Sequence, residues 1–346
     1  MRNPHSLVYS IAKAKLRMIP YKVNYAVTYQ CNGRCRICNI WKRYLLSPEK
    51  QQEELILPEI DAIFKDFDLS WVSLTGGEPF LREDLADIVV TIENHNPSLQ
   101  LLSIPTNGSL PGSVEKQVER ILDETEISNV VVSLSLNGNE PLHDYIQGVK
   151  GSWKKAQKTY QFLESIADPK FMVFLEYTVS KHNAGHLKET LDSFGVTDYS
   201  RVVLTAAHSS YFYNTASQDL HEHSSAEQVR TFLSLTKCRT MENVIPHIYT
   251  TLLEKYLRGA LPSLGCVSGR SSLFLDPYGN LFPCITMGTS FGNLKKSPLH
   301  QVLHGEHADS IRKKIRKREC PGCWTPCEAY QTILEKLPTA TVHALK

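Results

Sequence analysis

Cys31-Asn32-Gly33-Arg34-Cys35-Arg36-Ile37-Cys38 sets three cysteines in the spacing C-x3-C-x2-C, directly after the alternating run Tyr21–Tyr29, which reads as a strand. Three thiolates in one loop select iron–sulfur clusters or zinc, because cysteine sulfur prefers soft metals over hard cations. A four-iron cluster usually takes four cysteine ligands, so three leave one iron open to bind and activate another molecule. The competing reading is a zinc knuckle, which wants four protein ligands. No further Cys or His lies within the next roughly twenty residues, so its fourth ligand would have to be distant. Buried free cysteines suit the loop less, since Asn, Gly and two Arg stand between them.

The 346 residues carry 38 Lys and Arg against 36 Asp and Glu, a formal charge of +2, which gives no global field to attract nucleic acid or a membrane. The length suits one large or two ordinary domains, and 42% apolar residues suit a real core. All nine cysteines but Cys238 fall in two groups. Disulfides would require export, yet Lys13, Lys15 and Arg17 stand where an uninterrupted apolar signal segment would be. The expected compartment is therefore the reducing cytoplasm, and the cysteine groups read as metal sites. No apolar run approaches the length of a membrane span. Residues 5–18 read as a helix with Leu7, Ile11 and Met18 on one side. It is a lid or packing helix, or alternatively a basic segment that touches anionic lipid and makes the protein peripheral to the membrane.

From Tyr21 onward, strand and helix patterns alternate. The strands expected are 21–28, 70–75, 99–105, 129–136, 171–179 and 201–207, and the helices lie near 58–67, 84–94, 114–122, 153–165 and 187–194. Such alternation implies parallel βαβ units, and six of them make a partial (β/α)6 TIM-like barrel, an α/β fold whose functional residues gather at the C-terminal strand ends. Helices near 226–237 and 244–258 lead to Leu261-Pro262, so the expected organisation is 1–20 as an N-terminal helix, 21–258 as the barrel and 259–346 as a small cysteine-rich domain. His221 and His223 read as solvated loop residues, and Cys238 as an unligated thiol.

A second motif, Thr75-Gly76-Gly77-Glu78-Pro79, follows the second strand, where two glycines let backbone approach a ligand. Together with C-x3-C-x2-C one βα unit earlier, it resembles the radical S-adenosylmethionine (SAM) superfamily. That resemblance implies a [4Fe-4S] cluster on Cys31, Cys35 and Cys38 whose open iron holds the amino and carboxylate groups of SAM. It implies SAM contacts from Gly76, Gly77 and Glu78, from Asn107 in Thr106-Asn107-Gly108, and from Ser135 and Asn137 in Ser133-Leu134-Ser135-Leu136-Asn137-Gly138. Asn107 also reads as plain turn chemistry, because Asn-Gly tolerates positive φ. Two positions depart from the pattern. Gln147 stands where the family has an Arg for the SAM carboxylate, and Ile37 where an aromatic more often lies beside the adenine. Glu176, near the end of the fifth strand, faces either the site or a helix.

The second cysteine group is Cys266, Cys284, Cys320, Cys323 and Cys327. A hairpin over Ser272–Asp276 and Leu281–Pro283 brings the first two together, and C-x2-C-x3-C opens a helix from about Pro326 to Leu337. Four of these thiolates make a closed site, either a zinc ribbon or a four-iron cluster. The pattern Cys266…Gly279-x4-Cys284…Cys320-x2-Cys323 resembles the SPASM/Twitch extension, which implies one auxiliary [4Fe-4S] cluster and one surplus thiol, expected at Cys327. Ile285 stands where sulfatase-maturing members carry an Asp, so the resemblance does not extend to that oxidation. The basic run Arg312–Arg318 reads as a solvated helix with Ile311 and Ile315 packed, which makes nucleic acid an improbable partner.

The resemblance thus implies an enzyme that reductively cleaves SAM to a 5′-deoxyadenosyl radical for hydrogen abstraction, served by a low-potential electron donor of flavodoxin or ferredoxin type. The cluster loop arrives at Cys31, too early for a preceding peptide-recognition module, and Tyr211–Asn214 supplies aromatic and polar groups over the barrel mouth. A small-molecule or lipid-linked substrate is therefore expected before a ribosomally made peptide. The reading from another class is a binding or scaffold protein held by structural zinc.

Overall fold

The computed structural model describes residues 11–12, 19–215, 220, 224–236 and 243–345; His221, His223, Cys238 and most of the 5–18 stretch lie outside them. Six parallel strands, β1 (Lys22–Thr28), β2 (Trp71–Gly76), β3 (Leu101–Thr106), β4 (Asn129–Ser135), β5 (Phe171–Val179) and β6 (Val202–Ala206), stand side by side in chain order, each within two residues of its expected place. Helices α1 (Arg43–Leu46) and α2 (Leu57–Phe64) follow β1, α3 (Leu85–His95) follows β2 and α4 (Pro111–Glu124) follows β3. Then α5 (Glu140–Gln147) and α6 (Ser152–Ser165) follow β4, α7 (Leu187–Ser193) follows β5, and α8 (Ser224–Leu235) and α9 (Val244–Leu257) follow β6.

The remaining chain adds β7 (Ser272–Leu275), β8 (Asn280–Phe282) and β9 (Gly292–Asn293), then α10 (Leu299–His304), α11 (Glu306–Arg316), α12 (Pro326–Glu335) and α13 (Leu337–Leu345). β7 pairs in parallel with β1, Lys22 opposite Ser272 and Tyr25 opposite Leu275, so the hairpin extends the barrel sheet at its first strand. The sheet runs β6-β5-β4-β3-β2-β1-β7-β8-β9 and is open, with β6 and β9 at its edges.

Burial along the strands says which face is which. In β5, Phe171, Val173, Leu175, Tyr177 and Val179 are buried under the helices, while the residues between them are half-buried toward the lumen. Each fully buried aliphatic side chain contributes about 1.5–3 kcal/mol, so the outer face carries the core. β1 is buried on both faces, because α12 covers the lumen side of Lys22 and Asn24.

Local chemistry fixes the helices around the site. Asn139 caps α5 by accepting from the Leu142 N–H at 3.3 Å, and Asp144 within it caps α6 through the Ser152 hydroxyl and the Trp153 N–H. α11 buries Ile311 and Ile315, and Arg312 is buried as well, donating to the Leu303 carbonyl and paired with Asp309. The basic run is thus a helix with one packed face. No helix of the described residues is long and apolar enough to cross a membrane.

Candidate active site

The C-terminal ends of the strands surround one cavity. Cys31, Cys35, Ile37, Cys38, Gly76, Gly77, Glu78, Asn107, Ser135, Asn137 and Gln147 all line it, so the first cysteine loop and the residues expected to contact SAM come together. Glu176, whose orientation the sequence leaves open, lines it as well.

Two neighbours hold the cysteine loop. On one side, the Arg34 and Arg36 N–H groups donate to the Gln147 and Ile146 carbonyls, each at 2.9 Å, at the C-terminus of α5. The helix ends at Gly148 with φ +66°, where a Cβ would come within 2.5 Å of the Arg34 carbonyl oxygen, so a glycine is needed both for the turn and for the close approach. The Cys35 thiol donates to Gln147 Oε1 at 2.9 Å, so Gln147 braces the loop with backbone and side chain. On the other side, Asn107 Nδ2 donates to Asn32 Oδ1 and Asn32 Nδ2 to Ser109 Oγ, both at 2.8 Å. Asn107 meanwhile accepts from the Ser109 N–H, so it does turn chemistry and loop bracing at once.

Glu78 is buried as a brace between strands. It accepts from the Thr106 hydroxyl at 2.9 Å and from the Asn107 and Phe80 N–H groups. Burial pushes its carboxyl up to about 7 despite those donors. Gly77 is pressed against the loop, where a Cβ would stand 1.9 Å from the Gln30 carbonyl oxygen, and the Glu78 N–H donates to that same oxygen at 2.8 Å. The two motifs read from the sequence are therefore one packed unit.

The three thiols line the same cavity, and a Cβ on Gly33 would lie 3.4 and 3.6 Å from the sulfurs of Cys35 and Cys31. Burial pushes Cys31 up to about 12 and Cys38 to about 11, and Cys35 rises through burial and its two neighbours. A donor set of this kind, soft and buried, becomes thiolate when metal replaces the protons. It fits a cluster with iron on three sulfurs.

Cys266, Cys284, Cys320 and Cys323 line a second cavity together with Ser268, Thr286 and Glu328. Cys266 sits at its exposed rim, and Cys284 is buried, with the Thr286 hydroxyl at 3.1 Å. Cys327 does not join them. Its side chain lines the barrel cavity with Glu176, Tyr213 and the first cysteine loop, and burial pushes its thiol up to about 12. Among the described residues no three His, Cys, Asp or Glu stand as a single-ion site, whereas a four-iron cube asks for thiolates spread over separate irons.

Sequence reasoning passed over the loop 208–215 as a brace. The Asn39 N–H donates to the Tyr213 carbonyl at 2.9 Å, Arg43 donates to the Tyr211 and Phe212 carbonyls, and the Ser210 hydroxyl reaches the Ile285 carbonyl beyond the hairpin. The alternation of Tyr211, Phe212 and Tyr213 was the available signal.

Ser135 and Glu176 are register partners on β4 and β5. The Glu176 side chain has no hydrogen-bond or ion-pair partner among the described residues, and burial pushes its carboxyl from the ordinary 4.5 up to about 7. The folded protein then holds this proton more tightly than the unfolded chain, so the cost to stability is absent below 4.5, grows as pH rises from there to about 7, and is full above it. Glu176→Gln cannot ionise. Its unfolding free energy from urea titration should gain on the parent's by about 2 kcal/mol between pH 5 and pH 8, and parallel stabilities over that range would show Glu176 to be solvated.

The chain is similar to known families and proteins. The radical SAM superfamily model matches residues 25–194, and a model of an iron-sulfur cluster-binding domain, SPASM, matches residues 266–327. A probable GTP 3′,8-cyclase of Archaeoglobus fulgidus is 38% identical over 109 residues, 32% of this chain and 33% of that protein. The GTP 3′,8-cyclase of Helicobacter pylori is 27% identical over 183 residues, 48% of this chain and 54% of that protein. The chain thus spans about half the length, or less, of these curated relatives. Native anSMEcpe with bound AdoMet and Cp18Cys peptide has the same fold at a TM-score of 0.62 and 15% identity, over 94% of this chain and 99% of that one. With both models matched in order, and each on the segment that carries its cysteines, the chain belongs to the radical SAM superfamily and carries a SPASM iron–sulfur cluster-binding domain.

Proposed function

We propose that the protein is a radical SAM enzyme acting on a neutral or cationic polar small molecule. The observation that carries this reading is the single cavity at the strand ends, which unites Cys31, Cys35 and Cys38 with Gly76, Gly77, Ser135 and Asn137. When bound, the [4Fe-4S] cluster and SAM supply a 5′-deoxyadenosyl radical that takes hydrogen from a substrate. The chain's own residues hold and screen that chemistry. Cys31, Cys35 and Cys38 would hold the cluster, and Cys266, Cys284, Cys320 and Cys323 the auxiliary one. The Gly76-Gly77 backbone offers close approach, Ile37 supplies an apolar wall, and the loop 208–215 shuts water from the mouth.

The charge of the lining bears on the substrate. No Lys or Arg is among the described residues that line the cavity, and Glu176 is there without a counter-charge. A polyphosphate such as GTP, on which the curated relatives' names say they act, would meet two carboxylates, with His208 the one lining side chain among the described residues that can turn cationic. A lipid-linked substrate with an uncharged headgroup suits the same lining. A peptide, such as the one bound to anSMEcpe, suits it where it presents a neutral or basic side chain.

The cluster loop also has an outer side. Cys35 lines an exposed groove with Arg34, Arg36, Lys42 and Lys181, and none of the described residues lining that groove is acidic. An acidic one-electron carrier of the flavodoxin or ferredoxin class matches it in charge. One assay addresses both points, namely 5′-deoxyadenosine formation by the reconstituted protein, with cell-extract metabolites separated by charge at neutral pH. Neutral or cationic fractions should stimulate it several-fold, and stimulation confined to the anionic fraction would overturn the substrate class. With reduced flavodoxin as electron source the rate should fall as salt rises, whereas the dithionite-driven rate should hold. Equal salt response would move the docking site elsewhere.

A further inference from the structure

Five cysteines lie in the C-terminal part, and the fold divides them four to one. Cys266, Cys284, Cys320 and Cys323 line their own cavity. Cys327, one turn further along, lines the barrel cavity. It packs in the same side-chain cluster as Cys31 and Cys38, and Tyr213 is in that cluster too. We propose that Cys327 is a hydrogen-atom donor of the active site, a thiol that quenches a carbon radical formed in the barrel cavity and does not ligate iron. The inference rests on the SAM-cleaving reading given above.

Three observations support it. The first is placement: Cys327 stands in the first turn of α12, and its carbonyl is held by Lys22 Nζ at 2.9 Å, so the thiol is presented to the cavity from a fixed backbone. The second is the company it keeps. Glu176 lines the same cavity, its side chain without a hydrogen-bond partner among the described residues, and gives the thiol an acid within electrostatic reach. The third is the bond itself, since an S–H bond is weaker than an alkyl C–H bond and its hydrogen passes to a carbon radical downhill.

The step balances. The Cys327 S–H bond breaks, a C–H bond forms on the substrate carbon, and a thiyl radical is left on Cys327. The thiyl takes one electron from the low-potential one-electron donor and one proton from the Glu176 carboxyl, which restores the thiol. Glu176 then recovers its proton from water. The net result is a substrate carbon that has exchanged or inverted its hydrogen, with no net change in the substrate's oxidation state.

The test needs no substrate. The reconstituted holoenzyme is exchanged into D2O without added thiol, supplied with SAM and dithionite, and the 5′-deoxyadenosine is weighed by mass spectrometry. Most of the parent's product should carry one deuterium, taken from the Cys327 S–D, and Cys327→Ser should bring that fraction to background, because an O–H bond is too strong to give its hydrogen. Tyr213→Phe should leave the deuterium in place. Product without deuterium from the parent, or deuterium that survives Cys327→Ser and is lost in Tyr213→Phe, would overturn the proposal while leaving SAM cleavage intact. No cleavage at all by the parent would sink the proposal together with the reading beneath it. Iron content is the readout independent of turnover. Cys327→Ser should keep about eight irons, and in the parent holoprotein iodoacetamide should label Cys327 ahead of the other four C-terminal cysteines. A fall to about four irons makes Cys327 a ligand and ends the argument.

Discussion

Replacing Cys31, Cys35 and Cys38 together by Ala should lower the iron of the anaerobically reconstituted protein from about eight to about four per chain and abolish SAM cleavage. The two cysteine groups line separate cavities, so loss of one donor set leaves the other's sulfurs in place. The fold should survive, because the loop is held by backbone and amide contacts to α5 and to the end of β3, none of which uses the metal. Far-ultraviolet circular dichroism should therefore be unchanged. Iron analysis showing stoichiometric zinc in the parent would replace the enzyme reading by the scaffold reading. Residual SAM cleavage in the triple variant would place the chemistry elsewhere in the chain.

The second large effect concerns a residue that the sequence shows only as one more position in a strand. Lys22 is 1% exposed, and its ammonium donates to the Cys327 carbonyl at 2.9 Å and lies 4.1 Å from the centre of the Trp71 ring. Glu328, 3% exposed, accepts from the Ser268 and Ser272 hydroxyls, each at 2.6 Å, and from Asn24. Burial pushes Lys22 down and Glu328 up, toward their neutral forms, and each is opposed by the other's charge. The two are not in direct contact, but removing Lys22 takes the opposing charge from buried Glu328 and the donor from the Cys327 carbonyl, a loss of up to about 3–5 kcal/mol, whereas removing both charges is milder. Lys22→Met keeps the length and the apolar stem. It should lower the urea-unfolding free energy by about that amount, and Lys22→Met with Glu328→Gln should recover most of it. A loss below about 1 kcal/mol would mean that Glu328 is already neutral in the fold.

This pair also shows where sequence reading stops. Lys22 and Cys327 are 305 positions apart, and nothing local to either says that they meet. β7 joins β1 in parallel across a similar distance, and neither strand's pattern names its partner. The same limit applies to Glu176. Apolar residues occupy both faces of β5 at Phe171–Leu175, so alternation alone does not say which face looks inward; the pairing of Ser135 with Glu176 decides it. The resemblance implies a SAM contact at Gln147. That residue does line the cavity, and its role as a brace for the Cys35 loop came from the packing of α5.

By itself the sequence determined the six strands, the order of strand and helix, and the two sets of soft ligands. Each is written in spacings of a few residues, and a strand's period or a loop's reach is set by local backbone geometry. Tertiary structure alone decided which cavity each thiol faces, that the Glu176 side chain lines the barrel cavity without a partner among the described residues, and that a buried lysine ties the first strand to the last cysteine. Those outcomes depend on register and helix placement between segments far apart in the chain, where burial and the need to satisfy buried polar groups choose the partner.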